Sequence, residues 1–335
     1  MHNSQRSLLW LGTLGLVLLV TLLVASQSGA IKLSLASLWH QAPGSLERNI
    51  WLNIRLPRVL LAALVGIALA VSGSVMQGLF RNPLADPGLL GISSGAGLAV
   101  AVAIVIPLAL PPVLVMWLPM LAAFTGSMLV TVLIFKLSRV TRGHLSRLLL
   151  FGVAINALCG SSVGVLSWIS NDQQLRQLSL WGMGSLALAS WPALSVCAVL
   201  ILPAAILSLC CAGQLNMLQL GEEDAHYMGV NVLRTRRQLL VLNALLVGTA
   251  VSVSGVIGFI GLVIPHLMRL CFGSDHRMVL PASALSGAIL LLLADTLART
   301  LVTPAEMPVG LLTSLIGAPW LFWMIIRRQR ENGDV

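Results

Sequence analysis

The sequence predicts an all-α protein that threads a membrane about ten times, and three observations carry that expectation. The first is composition: 57% of the 335 residues are hydrophobic and only 9% are charged, more apolar surface than one water-soluble core of this length can hide. The second is the recurrence of apolar runs close to the roughly 20 residues a helix needs to cross a bilayer. The third is charge placement. With the N-terminus in the cytoplasm, most of the 20 lysines and arginines fall in loops on that side, as the positive-inside rule requires.

Taken in order, the spans are expected near 8–25, 57–78, 92–107, 114–136, 146–169, 191–212, 237–256, 258–271, 279–302 and 309–326. The first, flanked by Arg6 and the small residues from Ser26 to Ala30, has the look of a secretory signal. So many spans follow that an uncleaved helix is expected instead. The third and eighth are short and broken by Gly or Pro, and parity decides them: losing one span would move either the basic cluster at 136–147 or that at 327–330 to the wrong side. An even count leaves both termini in the cytoplasm. No polar segment is long enough to fold alone, so 1–335 reads as one membrane domain, with a cytoplasmic loop at 213–233. Gly91 and Gly95, Gly160 and Gly164, and the series Gly255, Gly258, Gly261 suit close helix packing in lipid. The five cysteines lie within apolar runs without C-x-x-C spacing, which favours packing over a zinc site or a disulfide framework.

Several function classes find no support. The net charge of +9 sits in short clusters without aromatic platforms, so it reads as a topology signal and not as a nucleic-acid surface. An ATP-binding loop needs a lysine at the end of a glycine run. The only lysines, Lys32 and Lys136, follow none, so any ATP belongs to a partner. H-E-x-x-H is absent and the six histidines are scattered, leaving no metal site. A proton-coupled secondary transporter would place carboxylates at a mid-membrane cavity, yet Asp295 is the only acid well inside a span and has Arg299 one helical turn away. Inverted halves are not evident. An intramembrane enzyme would need a nucleophile with a base in reach, and no such spacing stands out. The informative polar segment is Gly221-Glu222-Glu223-Asp224-Ala225-His226-Tyr227-Met228-Gly229, followed by Arg234, Arg236 and Arg237. Acids first and bases later match the dipole of a short helix lying on the membrane surface.

Several stretches together resemble the permease subunits of bacterial ABC importers for iron-siderophores, heme and cobalamin. They are Arg55–Arg58 (R-L-P-R), Asn82–Gly91 (N-P-L-A-D-P-G-L-L-G), Gly221–Gly229, Gly258–His266 (G-F-I-G-L-V-I-P-H), Asp275–Arg277 and Leu293–Arg299 (L-A-D-T-L-A-R). The resemblance implies a type II ABC importer permease in the bacterial inner membrane. Its partners would be a second copy of the chain, two cytoplasmic ATPases holding ATP and Mg, and a periplasmic binding protein, all around a chain with no cofactor of its own. It implies that Gly221, Glu222, Glu223, Asp224, Ala225, His226 and Gly229 form the coupling helix that meets the ATPase. It further implies that Arg55, Arg58 and Arg299 receive glutamates of the binding protein, and that Asn82, Leu84, Leu145 and Ser146 belong to the gate. The pathway would follow the dimer axis along the fifth span and its outer extension, about 146–185.

The segment Arg176–Leu186 looks most like the heme permeases. Heme is a flat apolar plate with two carboxylates, so apolar or thioether walls and an arginine would suit it. Met76, Arg176, Trp181 and Met183 are the candidates on the path. Heme is the expected cargo, with cobalamin and then ferric siderophores as the alternatives.

Overall fold

Within lipid no water is at hand to pair backbone N–H and C=O groups, so each apolar run must close its own hydrogen bonds as a helix. The computed structural model describes residues 2–29, 45–107, 111–140, 145–302 and 305–331. Among them the elements are α1 (His2–Gln27), α2 (Leu46–Leu79), α3 (Ile92–Val105), α4 (Pro112–Val140), α5 (Leu145–Ile169), α6 (Asp172–Gly182), α7 (Trp191–Cys210), α8 (Ala212–Leu220), α9 (Glu222–Tyr227), α10 (Val232–Ser254), α11 (Ile260–Phe272), α12 (His276–Thr300) and α13 (Val309–Glu331). A 3-10 turn, Pro87–Leu90, precedes α3. No strand occurs among the described residues.

Seven helices, α1, α2, α4, α5, α7, α10 and α12, are long and apolar enough to span, and α3, α11 and the Val309–Met324 part of α13 are shorter apolar helices. Together they are the ten passes expected. Boundaries differ where polar residues hide helix. α2 starts at Leu46, well before residue 57, because Ser45 caps it through the Arg48 N–H at 3.4 Å, and it carries a π turn over Trp51–Arg55. The stretch from 213 onward is not a plain loop, since α8 follows α7 after Cys211 alone.

α2 is the central helix. Its most apolar stretch is 83% buried, against 11% for α1 at the periphery. Two pairs of glycines let it approach its neighbours. Gly66 lies against the Gly287 backbone of α12, and two turns later Gly73 lies against the Gly261 carbonyl of α11. Neither position has room for a Cβ, so backbone meets backbone, the arrangement that dispersion forces favour when lipid supplies no hydrophobic drive. Of the glycines singled out in the sequence, Gly95 packs on Gly126 and Val130, whereas Gly160 and Gly164 face open space. Buried polar side chains add links across the same seams. Ser72 donates to Asn243 of α10, and Gln77 Nε2 donates to the Leu262 carbonyl at 3.0 Å. Cys159 and Cys197 are buried as expected, but Cys210 and Cys271 are exposed because they occupy the outward faces at the ends of α7 and α11.

Gly73→Val should lower the stability of the purified protein by about 1–3 kcal/mol through overpacking, read as a drop in thermal unfolding temperature. Gly12→Val, at a site with nothing within 4 Å, should leave it unchanged.

Candidate functional site

The chain's chemistry gathers at the two ends of the bundle. At one end, the last turn of α1 exposes carbonyls that its own helix cannot pair. Guanidinium groups from two other helices take them: Arg55 Nη1 donates to Gln27 O at 2.6 Å, and Arg299 donates to Ser28 O and Ala25 O at 3.3 Å each. Cations at a helix C-terminus also meet its negative pole. Asp295 is held on both sides. Arg58 Nε and Nη2 reach its oxygens at 3.0–3.2 Å, and Arg299 Nε lies 3.1 Å from Oδ2. Arg58 Nη1 also pairs with Glu306 at 2.8 Å. The i,i+4 partner of Asp295 was legible in the sequence. Arg58 and Glu306 were not, because they come from distant segments. All three arginines are buried, at 5–7% exposure.

At the other end, α9 lies between Gly221 (φ 145) and Gly229 (φ 87). Gly229 closes the helix in the left-handed conformation, with Val230 N–H donating to Ala225 O and Gly229 N–H to His226 O, both at 2.9 Å. Ala225 is fully buried and Glu222 is paired with Arg236 of α10, so these two face the bundle. Glu223, Asp224, His226, Tyr227 and Met228 point outward, with Tyr227 87% exposed. The six-residue helix thus presents two exposed acids of its first turn, Glu223 and Asp224, beside a bare aromatic.

At this same end, where α2 stops, lies the loop that contains Asn82 and Leu84. Arg81 takes a left-handed φ of 50, which turns the chain out of α2. Asn82 Oδ1 accepts from Leu84 N at 2.9 Å, so this side chain holds its own turn, and Leu84 is 38% exposed. Leu145 opens α5, but the side chains of Leu145 and Ser146 lie outside the described residues.

The segment that follows α5 is a separate helix, α6, and not a continuation of it. Asn171 and Gln174 form a reciprocal capping box at its start, a signal present in the sequence as N-x-x-Q. Gln174 Nε2 also donates to the Ile104 and Val105 carbonyls at 3.1 and 3.3 Å, tying α6 to the end of α3. Arg176 and Met183 are exposed, and Trp181 is half-buried against the core. Met76 is a correction: it is fully buried inside the subunit, on the inward side of the central helix, where no cargo reaches it. α5 buries one face, with Gly152 against the Leu89 carbonyl and Ile155 against Gly91. Its opposite face carries Leu158, Val165 and Trp168 at 68%, 62% and 85% exposure.

Residues 16–327 match the FecCD transport family. Over 332 residues the chain is 59% identical to the hemin transport system permease protein HmuU of Yersinia pestis, covering 99% of both sequences. It is 42% identical over 330 residues to the vitamin B12 import system permease protein BtuC of Vibrio vulnificus, covering 97% of this chain and 96% of that one. A solved metal-chelate type ABC transporter in an inward-facing conformation has the same fold, with a TM-score of 0.85 and 33% identity over 95% of this chain and 98% of that one. Ten apolar passes around a glycine-lined central helix, together with a match that runs from the first pass to the last, make this chain a permease of the FecCD transport family.

Proposed function

We propose that the chain conducts hemin from periplasm to cytoplasm as one half of a homodimeric channel in the bacterial inner membrane, with ATP hydrolysed by two partner subunits. The observation that carries the cargo assignment is the 59% identity, end to end, with a hemin permease, against 42% with a vitamin B12 permease. The exposed Arg176 and Met183 fit it chemically, offering a guanidinium for a propionate and a thioether for the porphyrin plate. The open face of α5, with its large exposed side chains beside Gly160 and Gly164, suits a second copy of the chain across a shared pathway. The orientation puts α9 and both termini in the cytoplasm, in line with the basic loops.

Energy must then enter from outside the chain, which has no phosphate-binding loop. In this reading α9 is the entry point: Glu223, Asp224, His226 and Tyr227 meet the ATPase while Ala225, Glu222 and the bracketing Gly221 and Gly229 hold the helix to the subunit. Asn82 and Leu84, with Leu145 and Ser146, are the inner gate. Closure of the ATPase dimer biases which side of the channel is open. At the outer end, Arg55, Arg58 and Arg299 attract the binding protein. Charges placed there would orient and speed the approach of that protein's carboxylates.

In proteoliposomes holding the complete complex, hemin-loaded binding protein should stimulate ATP hydrolysis and hemin accumulation. Stimulation by a cobalamin-loaded partner and not by hemin would overturn the cargo assignment. The double variant Glu223→Lys, Asp224→Lys should weaken capture of the ATPase by about tenfold, equivalent to about 1.4 kcal/mol, measured by co-purification across protein concentrations. Arg55→Glu should slow association of the binding protein and reduce its salt dependence. Binding kinetics identical to wild type at low and high salt would remove Arg55 from docking.

A further inference from the structure

The α9 end of the bundle holds a side-chain network around one buried ring that none of the roles above uses. His276, the first residue of α12 and fully buried, is its centre. Its backbone N–H donates to Asn216 Oδ1 at 2.8 Å, while Asn216 Nδ2 donates to Asp275 Oδ1 at 2.6 Å. The carboxylate therefore fixes which way the Asn216 amide points. The imidazole is then left with one workable neutral tautomer. Arg269 Nη2, 3.3 Å from Nε2, can only donate, so Nε2 accepts and the proton sits on Nδ1, 2.9 Å from Asn216 Oδ1. Gln219 Nε2 lies 3.2 Å from the same nitrogen, and with the proton on Nδ1 this becomes a hydrogen bond when the carboxamide is turned to present its oxygen. Burial works against a charged Asp275, but the Arg277 N–H, the Asn216 amide and the nearby positive charge of Arg277 together hold its carboxyl below the usual range. The clamp on Asn216 is thus an ionised one.

The Nε2–Cε1 side of the ring also lies against the end of α2. A Cβ on Gly78 would sit 2.5 Å from His276 Nε2 and 3.1 Å from Leu215 Cδ2, so both α12 and α8 press on that one residue. One side chain therefore touches α8, α11 and α2 at once. α8 leads into α9 through Gly221 alone, and Gly78 stands one helical turn before Asn82. α9 is pinned to α10 by Glu222 and Arg236, which keeps the six-residue helix from swinging independently of its neighbours. Close-packed contacts of this kind pass a displacement on instead of absorbing it.

We propose that His276 is a positioning residue that transmits movement of α8 and α9 to the loop at Asn82 and Leu84, by linking Asn216 and Gln219 on one side to Gly78 on the other. This rests on α9 being the contact with the ATPase, and it does not depend on which cargo is carried. The ring does two things in this role. Its Nδ1 side follows α8 and its Nε2–Cε1 side bears on α2, so that a shift of α9 reaches the gate loop without passing through the lipid-facing helices.

The test uses the full complex in a background with the five cysteines replaced by alanine and a single cysteine introduced by Leu84→Cys. The rate of labelling by a thiol reagent is measured with and without ATP and vanadate. Without a further change, nucleotide should alter the labelling rate by about fivefold or more, the usual size of a coupling between two sites. His276→Ala should make the two rates equal in the assembled complex. Asn216→Ala with Gln219→Ala should do the same while leaving α12 intact, which keeps the test valid if His276→Ala fails to assemble. His276→Gln, whose carboxamide oxygen can accept from Arg269, should restore part of the difference. A nucleotide-dependent difference that persists in either the His276→Ala or the Asn216→Ala, Gln219→Ala complex would overturn the proposal, as would an equal loss in His276→Gln. Failure of hemin to stimulate hydrolysis would count only against the cargo assignment, because the labelling readout needs no cargo.

Discussion

The crossing of α2 over α12 at Gly66 and Gly287, and over α11 at Gly73 and Gly261, sets the position of nearly everything else. Lipid tails are as apolar as leucine, so helices in a bilayer associate through close contact and polar links, not by escaping the solvent. With no side chains between them, the backbones of α2, α11 and α12 come within van der Waals reach. The arginine cluster draws on α2 and α12, and the network around His276 joins α2, α11 and α12 to α8. Both ends of the bundle inherit their geometry from one pair of glycine contacts in the middle.

The two ends handle charge in different ways. Around Asp295, guanidinium groups and carboxylates balance within the subunit, and the spare donors cap the last turn of α1. Replacing such a cluster by apolar residues need not destabilise a protein, whereas removing one member strands the others. Around His276 the groups are mostly neutral and directional, so the arrangement specifies orientation more than it contributes energy. A cluster of the first kind suits a place where a partner's charge arrives. One of the second kind suits a place where helices must keep their relation while they move.

Much of this could be read from the residues in order. Apolar runs, charge bias and the Gly221–Gly229 bracket are local patterns, and helix count, fold class and the short helix α9 follow from them. Asp295 and Arg299 were visible as a pair because one helical turn separates them. Contacts made in space were not visible. Arg58 meets Asp295 across 237 positions, and His276 meets Asn216 across 60, with no periodicity to announce either. Met76 failed for a related reason. A methionine in an apolar helix has the same appearance in sequence whether it faces a pathway or the core, and only the packing of α2 decides which.

The link from Gln174 to the end of α3 makes up for a helix that stops early. At 14 residues, α3 rises only about 21 Å, well short of a hydrocarbon layer of about 30 Å. Its terminal carbonyls would be stranded among acyl chains were the carboxamide of α6 not there to receive them. On that flank the protein offers a low shoulder roofed by a polar helix. Where α3 stops, α6 completes the depth of the bundle in place of a longer helix.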